Sequence, residues 1–435
     1  MRYRIPYGNS EMFFDAPESS VIFTGEMKNI PPVPNLSEAV TRALDEPIGL
    51  SPLSRLVRGK HKILFLVEDA TRSTPLAEIM PAIVGYLNRC GVSDDSMSFL
   101  TAPGTPRIMT EDEINAKLGG EIVRRFRVYQ HDATASEDLV YMGTVMAGDY
   151  PVPVHINRRV LEADFLFGLG NIVPHSDAGY AGGAKIVQPG VCGFATTTAT
   201  HIASAFCTDI PLGMKDGNPC RKGMEEVAAK IGLAFILNVV KNRAGDVCGV
   251  FAGDFVKAHR AGVDMAEESC KVSIPAKADI VVVSSYPADI DWWQAGKGVI
   301  SSYFAVNDGG TVIFASPCSE GLASNHPRLW EWLSMSFEEV KAELRLHAPE
   351  DEDADLVAGA IAACNCRVRE RAEIFAVTDG LSDQDLKALG YRRAVSVAEA
   401  LNKALRRNSS GTIGILPQGG ISLPVLISEG GGHGG

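Results

Sequence analysis

Short apolar runs alternate along the chain with longer segments whose apolar residues recur at helical spacing. Residues 63–67 read Ile-Leu-Phe-Leu-Val, which predicts a buried strand, and residues 76–90 then have the spacing of an amphipathic helix. The runs at 97–101, 165–168 and 235–240 predict further strands. Strands separated by helical segments are typical of parallel sheets with crossover helices. The sequence therefore predicts an α/β fold with mainly parallel sheets.

The same alternation begins again near Val272. Its predicted strands are residues 279–285, 310–315 and 374–378, and a helical segment covers residues 395–405.

We therefore expect two domains. Residues 1–271 form an N-terminal domain, 272–410 a smaller C-terminal domain, and 411–435 a returning strand that fits either domain, followed by a flexible glycine-rich tail. In open parallel sheets ligands bind beyond the carboxyl ends of the strands, and clefts between domains are common ligand sites. The active site is accordingly expected in the interdomain cleft.

Composition and charge narrow the class of protein. Of the 435 residues, 46% are hydrophobic and 22% are charged, as in ordinary globular enzymes. The net charge of −12 argues against a general nucleic-acid partner, which requires a basic face. There is no apolar run of membrane-spanning length and no signal-peptide pattern. The nine scattered cysteines fit a reducing compartment, so we expect a cytoplasmic enzyme without a membrane partner.

The most distinctive segment is glycine-rich and contains candidate catalytic side chains. Residues 174–185 read Pro-His-Ser-Asp-Ala-Gly-Tyr-Ala-Gly-Gly-Ala-Lys, and His201 follows on a predicted helix. Imidazole can be a base or a metal ligand, so His175 and His201 are candidates for those roles, although a lone helical histidine also fits a core position. Gly182 and Gly183 let the backbone approach a bulky ligand. We infer a bound cofactor, an acid–base group and a hydroxyl- or carbonyl-bearing substrate.

Lys185, which ends this segment, is open to three functional interpretations. It can bind a phosphate, form a Schiff base with a carbonyl substrate, or be the attachment point of a cofactor. A solvated surface lysine is the ordinary alternative, but a surface loop does not need so many special backbone positions.

Two other segments carry side chains suited to anions. Asp69, Thr71 and Arg72 directly follow the first predicted strand, and a guanidinium group suits a phosphate or a carboxylate. Turn chemistry with a surface arginine explains these residues equally well. Gln294 and Lys297, beside two tryptophans in the second domain, are a candidate carboxylate anchor, with domain packing as the alternative. A complete dinucleotide fingerprint, a P-loop and a zinc-protease motif are missing.

Taken together and in this order, the separated segments resemble the lactate racemase family, the nickel-pincer-nucleotide-dependent racemases and epimerases of 2-hydroxy acids. The matching motifs are Asp-x-Thr-Arg at Asp69, the Pro-His block that ends at Lys185, the later His201, and Gln-x-x-Lys at Gln294. The resemblance extends over nearly the whole chain. It implies an isomerase that moves a hydride reversibly between a 2-hydroxy acid and the cofactor, with cofactor-synthesis enzymes as partners.

The resemblance also implies a role for each matching residue. Lys185 resembles the lysine that holds the pyridinium-derived cofactor through a thioamide, His201 resembles the protein ligand of nickel, and His175 resembles a catalytic base. The remaining implied contacts are those of Asp69, Thr71 and Arg72 with the cofactor phosphate and the substrate, those of Gly182 and Gly183 with the cofactor, and those of Gln294 and Lys297 with the substrate.

The chain departs from the family at a turn where members usually carry a second base. This turn reads Gly-Thr-Pro-Arg, and Pro106 cannot transfer a proton. Another group such as His131 can serve that face, the substrate can be a longer acid with its own hydroxyls, or the chain can run a different reaction. We favour a family member whose substrate is not lactate. Two alternatives stay open: a non-catalytic binder of the cofactor or an anionic metabolite, and an enzyme that uses Lys185 as a Schiff base.

Overall fold

The computed structural model describes residues 1–105, 107–323, 326–349 and 351–427. Pro106 and the glycine-rich tail lie outside the described residues, so what was predicted for them stays a prediction. The strands of the described ranges are β1 (Arg2–Tyr7), β2 (Ser10–Asp15), β3 (Val21–Thr24), β4 (Ile63–Val67), β5 (Met97–Thr101), β6 (Arg127–Gln130), β7 (Leu139–Ala147), β8 (Tyr150–Asn157), β9 (Phe165–Asn171), β10 (Pro174–His175), β11 (Gly179–Tyr180), β12 (Leu233–Lys241), β13 (Val247–Gly253), β14 (Lys271–Ile274), β15 (Ala278–Ser284), β16 (Val306–Ala315), β17 (Glu373–Val377), β18 (Arg392–Arg393), β19 (Ile413–Leu416) and β20 (Leu423–Leu426).

Helices separate most of these strands. In the same ranges they are α1 (Leu36–Asp45), α2 (Leu53–Leu56), α3 (Leu76–Arg89), α4 (Glu111–Leu118), α5 (Gly120–Arg125), α6 (Arg158–Glu162), α7 (Phe194–Ala205), α8 (Pro219–Ile231), α9 (Lys257–Cys270), α10 (Trp292–Tyr303), α11 (Leu329–Ser334), α12 (Phe337–Leu344), α13 (Leu356–Arg371), α14 (Asp383–Leu389) and α15 (Val397–Arg407).

The chain folds into two compact units. The large unit comprises Asn29–Ser269 and the short segment Ala348–Asp353, and the small unit comprises Met1–Lys28, Cys270–His347 and the chain from Ala354 onward. This division differs from the predicted ranges at the N-terminus. Strand β3 pairs in parallel with β19, which itself pairs with β15, so the first segment of the chain and the returning strand both belong to the small unit.

The large unit has a six-stranded sheet in the order β13-β12-β9-β4-β5-β6. All neighbours pair in parallel except β13, which is antiparallel to β12. Successive side chains of a strand point to opposite faces, so Phe65 and Val67 of β4 enter the core with α3 whereas Leu64 and Leu66 enter the core with α7 and α8. The unbroken apolar run of β4 is thus the consequence of covering both faces of a parallel sheet.

The small unit has a second six-stranded sheet, in the order β18-β17-β16-β15-β19-β3, and every neighbouring pair is parallel. Helix α15 packs Val397, Ala400 and Leu401 into the same core as Ile280 and Val282 of β15. The prediction of an α/β protein with mainly parallel sheets is confirmed.

Candidate active site

Three neighbouring strands of the large sheet, β9, β4 and β5, are followed by segments that surround a small cavity of ≈ 40 Å³. The predicted residues Asp69, Arg72, Gly182 and Lys185 line it, together with Glu68 and others. The fold therefore brings four of the predicted cofactor residues to one place, at the carboxyl ends of parallel strands where ligands of such sheets bind. Thr71 and Gly183 are chain neighbours of these residues but do not line the cavity.

The segment after β4 is held in place by two lysines that the sequence analysis did not single out. Lys117 Nζ donates to the main-chain carbonyl of Arg72 at 2.5 Å, and Lys241 Nζ donates to that of the next residue at 2.9 Å. Thr71 Oγ1 donates to the Asp69 carboxylate at 2.8 Å. Burial lowers the pKa of both lysines. They fix the loop that carries Asp69 and Arg72, and they add positive charge that favours an anion.

Gly182 and Gly183 hold positions that no other residue fits. Gly182 has a φ of +80°, and a Cβ there would lie 2.8 Å from Ile172 and 2.9 Å from the carbonyl oxygen of Asn171. Gly183 has a φ of +61°, and its Cβ would lie 2.8 Å from the His259 ring. Both sites therefore need glycine, and the backbone passes directly along the cavity.

Two buried polar side chains, both missed from the sequence, tie down this glycine segment. The Arg221 guanidinium donates to the main-chain carbonyls of Ala178, Tyr180 and Gly182, the last at 3.0 Å. Asn238 Oδ1 accepts the Gly183 N–H at 2.7 Å. Asn238 could have been found from the sequence, because it interrupts the apolar run of β12. Arg221 could not, because its partners lie in a loop some forty residues away along the chain.

Lys185 lies on a short 3-10 turn, Gly183–Ile186, where the cavity meets the glycine segment. Burial lowers the pKa of its ammonium group to about 8, and the positive charges of Arg72 and Arg221 act in the same direction. A sizeable fraction of the amine is therefore neutral at mildly alkaline pH, and the neutral amine is the nucleophilic form. This environment suits a covalent bond better than simple charge pairing with a phosphate.

His201 lies on α7 and is only 7% exposed. Its Nδ1 is 2.8 Å from the Thr197 carbonyl oxygen, one helical turn earlier. A carbonyl can only accept, so the neutral ring donates from Nδ1 and keeps its lone pair on Nε2. Metal-bound histidines usually donate their other ring N–H to such an acceptor, which fixes the ring.

His175 has the opposite arrangement. Its Nδ1 accepts the main-chain N–H groups of Asp177 and Ala178 at 3.2 and 3.4 Å, so the neutral ring carries its proton on Nε2. The fully buried Asp177 carboxylate lies 3.6 Å from the same nitrogen and accepts Ser204 Oγ at 3.0 Å. Ser204 is on α7 with His201, so Asp177 links the two predicted histidines. Asp177 was not singled out from the sequence.

His131 does not have the surroundings of a catalytic base. It is 0% exposed, its Nε2 is 2.9 Å from the Cys192 carbonyl oxygen, and its Nδ1 accepts Asn157 Nδ2 at 3.1 Å. Burial lowers its pKa. With both ring nitrogens bonded in the interior, His131 is a structural residue, and the idea that it replaces the missing second base is wrong.

In the small unit, α10 carries Gln294 and Lys297 one turn apart. Lys297 Nζ donates to Gln294 Oε1 at 2.6 Å, and the Asp291 carboxylate caps the helix by accepting the Gln294 N–H at 2.8 Å. The structure thus brings this predicted pair into direct contact, and the lysine presents its charge beside an amide, as a carboxylate anchor requires.

The residues of the large unit fit the cofactor that the resemblance implies. Lys185 offers a reactive amine, His201 offers an imidazole lone pair on Nε2, and the glycine segment leaves room that a Cβ would fill. The buried Asn171 Oδ1, close to the cavity, has no hydrogen-bond partner among the described residues. Imidazole together with soft sulfur ligands is a donor set that suits square-planar Ni(II).

Fold and site together define a two-unit α/β protein with a buried lysine at the carboxyl ends of a parallel sheet and an oriented histidine on α7. Family models described as lactate racemase N-terminal domain and lactate racemase C-terminal domain match residues 7–210 and 274–425. The chain belongs to the lactate racemase family, and it is an isomerase of the racemase type. In the part of the chain that the structure describes, every helix is too short or too polar to span a bilayer.

Relatives and solved structures agree with this assignment. The chain is 30% identical to a lactate racemase of Thermoanaerobacterium thermosaccharolyticum over 98% of this chain and 99% of the relative. It is 34% identical to a lactate racemase of Lactiplantibacillus plantarum over 65% of this chain and 66% of the relative. The apoprotein structure of the T. thermosaccharolyticum enzyme superposes with a TM-score of 0.87, at 28% identity and over 98% of this chain and 100% of that one. A Thermotoga maritima protein shares the fold, with a TM-score of 0.71 at 22% identity over 92% of this chain and 100% of that one.

Proposed function

We propose that this chain racemises or epimerises a 2-hydroxy acid by reversible hydride transfer, with a nickel-pincer nucleotide attached to Lys185. The observation that carries the proposal is the Lys185 amine, whose pKa is lowered to about 8, at a cavity lined by Asp69, Arg72 and Gly182. When bound, the cofactor supplies a carbon centre that accepts a hydride and returns it.

Each of the named residues would hold one part of this group. Lys185 would form the thioamide bond, and His201 Nε2 would bind the nickel ion. Arg72 and the N–H groups of the glycine segment would face the phosphate, on a loop that Lys117 holds. Asp69 and Thr71, joined to each other, would complete the contact with the nucleotide and the substrate.

The chemistry explains why a hydride rather than a proton leaves the substrate. The Cα–H of a 2-hydroxy acid is poorly acidic because the neighbouring carboxylate resists a second negative charge. Loss of hydride, with loss of the hydroxyl proton to a base, yields a neutral carbonyl group next to that carboxylate. Positioned proton transfer contributes on the order of 10²–10⁴ in rate.

His175 holds and moves that proton. As placed, its neutral ring carries the proton on Nε2. To take the hydroxyl proton at Nε2, the ring would first move its own proton to Nδ1, which faces Asp177, and the imidazolium that results is the state that returns a proton to a carbonyl oxygen. When both nitrogens are protonated, Asp177 Oδ2, 3.6 Å from Nδ1, stabilises the positive ring. Gln294 and Lys297, which bond each other, would bind the substrate carboxylate.

We also propose that the substrate is not lactate but a longer hydroxy acid, because Pro106 occupies the turn where the family carries a base. The chain would work in the cytoplasm and receive its cofactor from dedicated synthesis enzymes. In a panel of lactate, malate and gluconate, we expect the longer acids to be isomerised faster. Lactate as the fastest substrate of the panel would contradict this part.

The test uses protein made together with the cofactor-synthesis enzymes. Its intact mass should exceed the sequence mass, and it should contain about one nickel ion per chain. Lys185→Ala should lose the added mass, the nickel and the activity, whereas His201→Ala should keep the added mass and lose nickel. Lys230→Ala, at an exposed lysine, is the matched control.

Two outcomes favour the alternatives. Borohydride trapping of a keto acid on Lys185 would support a Schiff-base enzyme. Added mass and nickel without turnover of any hydroxy acid would support a non-catalytic binder. Full activity and full nickel content in Lys185→Ala would contradict the proposal.

A further inference from the structure

The small unit contains a buried histidine–aspartate pair that the proposed function leaves without a role. His326 Nδ1 donates to Asp355 Oδ1 at 2.8 Å, and the two residues are 7% and 4% exposed. An ionised carboxylate only accepts, so the neutral ring has its proton on Nδ1 and its lone pair on Nε2. Among the described residues, no hydrogen bond reaches Nε2. A carboxylate behind a histidine in this way orients the ring as a base.

The backbone of Asp355 indicates that the position of this carboxylate matters. Asp355 is one of two non-glycine residues with positive φ in the described ranges, at φ 49° and ψ 50°. A non-glycine residue in this region is strained, and such residues persist only where the surroundings hold them. The second carboxylate oxygen accepts the Arg328 N–H at 3.4 Å. Asp355 is therefore fixed on both oxygens and aimed at His326.

The pair lies beside the predicted substrate anchor of the same unit. The His326 ring stacks on Trp293, with centroids 3.8 Å apart and planes at 5°. Trp293 immediately precedes Gln294 on α10. The segment at Gly321 and Leu322 is tied to the start of this helix, because the carbonyls of these residues accept the N–H groups of Trp292 and Trp293 at 2.9 and 3.0 Å.

The charged groups around His326 also connect it with this anchor. Asp291, the cap of α10, is largely buried, and burial raises its pKa, while the charges of Lys297 and His326 lower it. The negative charge of Glu320 raises the pKa of the same carboxyl group. Asp355 is bonded to the imidazole, and Asp291 interacts with both the imidazole and Lys297.

We propose that His326 is a second acid–base residue of the enzyme, directed at the hydroxyl group of the acid that Gln294 and Lys297 bind, and that Asp355 is its positioning residue. This inference rests on the proposed function. It accounts for the absence of a base at Pro106, because the proton acceptor comes from another part of the chain.

The proposed step balances with the hydride acceptor of the proposed function. His326 Nε2 takes the proton of the substrate hydroxyl, the hydrogen of the Cα–H bond leaves with its electron pair as hydride to that acceptor, and the O–H electron pair forms the carbonyl. In the reverse direction the hydride returns to Cα and the Nε2 proton returns to oxygen. Asp355 keeps the other proton on Nδ1 and stabilises the positive ring in between.

The first experiment compares His326→Gln, Asp355→Asn and His347→Gln in protein that carries the cofactor. His347 is the matched control because it pairs with Glu343 on the surface of the same unit, at 3.2 Å. We expect kcat to fall about 10²-fold or more in His326→Gln with KM nearly unchanged, and to fall less in Asp355→Asn. In Asp355→Asn the fall should again be in kcat and not in KM, because the ring keeps its place but loses the partner that orients it. His347→Gln should resemble the wild type.

The second experiment reads the imidazole directly and does not depend on turnover. The nitrogen NMR signals of His326, assigned by their loss in His326→Gln, should shift when malate or gluconate is added, and Lys297→Met should need about tenfold more of the acid for the same shift. Unchanged signals during saturable binding of these acids, or wild-type kcat in a folded His326→Gln protein, would overturn the inference. The proposed function itself fails separately, through missing mass and nickel in the wild type.

Discussion

The two lysines assigned to the site are held in very different ways. Lys185 lies in a glycine segment whose backbone groups are bonded by the buried side chains of Arg221 and Asn238. Lys297 lies half-buried on a capped helix and bonds the neighbouring side chain of Gln294. The first lysine lies in a segment held by buried side chains of other elements, whereas the second bonds a side chain one turn away on its own helix.

This difference matches the two kinds of ligand that the lysines are proposed to meet. A group attached once and kept needs a rigid frame, since any movement of the lysine moves the reacting centre. A substrate that enters and leaves in each cycle needs an anchor that can exchange partners, and a lysine–amide pair can do so at little cost. Substitutions in the frame should therefore affect folding and loading, whereas substitutions at the anchor should affect mainly substrate affinity.

The largest effect is expected for Gly182→Ala. The new Cβ would be strained at a φ of +80° and would meet Ile172 and the Asn171 carbonyl below 3.0 Å. Strain and overpacking together should lower the free energy of unfolding by about 2–6 kcal/mol. The control is Gly232→Ala, where φ is +78° but nothing lies within 4 Å of the new Cβ. Equal losses in urea unfolding of the two variants would mean that crowding at Gly182 is unimportant.

The sequence was informative where local pattern decides structure. The apolar run of β4 and the helical spacing before α3 predicted both elements, because each buried face repeats within a few residues. The joining of β3 to β19 was not predictable, since residues 21–24 and 413–415 carry no local mark of their pairing. Which distant strand becomes the parallel neighbour depends on the whole sheet and not on the local sequence.

The proposed site residues divide in the same way, into those that a local motif marks and those that only the folded chain reveals. A motif continuous in the chain was enough to propose three site residues, Lys185, His201 and His175. Arg221 and Asp177 act through main-chain and hydroxyl groups of other segments, and only the folded structure brings those partners together. His131 shows the converse, because its position in the sequence suggested a catalytic role that its buried, doubly bonded ring excludes.

A second prediction concerns the stability of protein made without cofactor. The pKa of Lys185 is lowered from 10.5 to about 8, so the native chain releases this proton earlier than the unfolded chain. Below pH 8 both states hold the proton and the penalty for the buried charge is constant. Between about 8 and about 10.5 only the unfolded state holds it, so stability should rise with pH, by about 3 kcal/mol in total.

Lys185→Met, which has no charge to bury, isolates this contribution. The difference in the free energy of unfolding between the wild type and this variant should shift in favour of the wild type across that pH range. Urea unfolding at several pH values measures it. Parallel curves for the two proteins would show that Lys185 is not destabilised as an ammonium group, and its use as a nucleophile would lose its physical basis.

The smallest effect is expected at the other lysine. Lys297→Met keeps the length of the side chain but removes the charge proposed to bind the substrate carboxylate, and Gln294 loses a partner at 2.6 Å. KM should rise about tenfold, or about 1.4 kcal/mol, while kcat changes little, since an ion pair present in both ground state and transition state contributes uniform binding. Added mass and nickel content should equal those of the wild type. If Lys297→Met lost nickel instead, this lysine would belong to the cofactor frame, and the distinction between a fixed and an exchangeable anchor would fail.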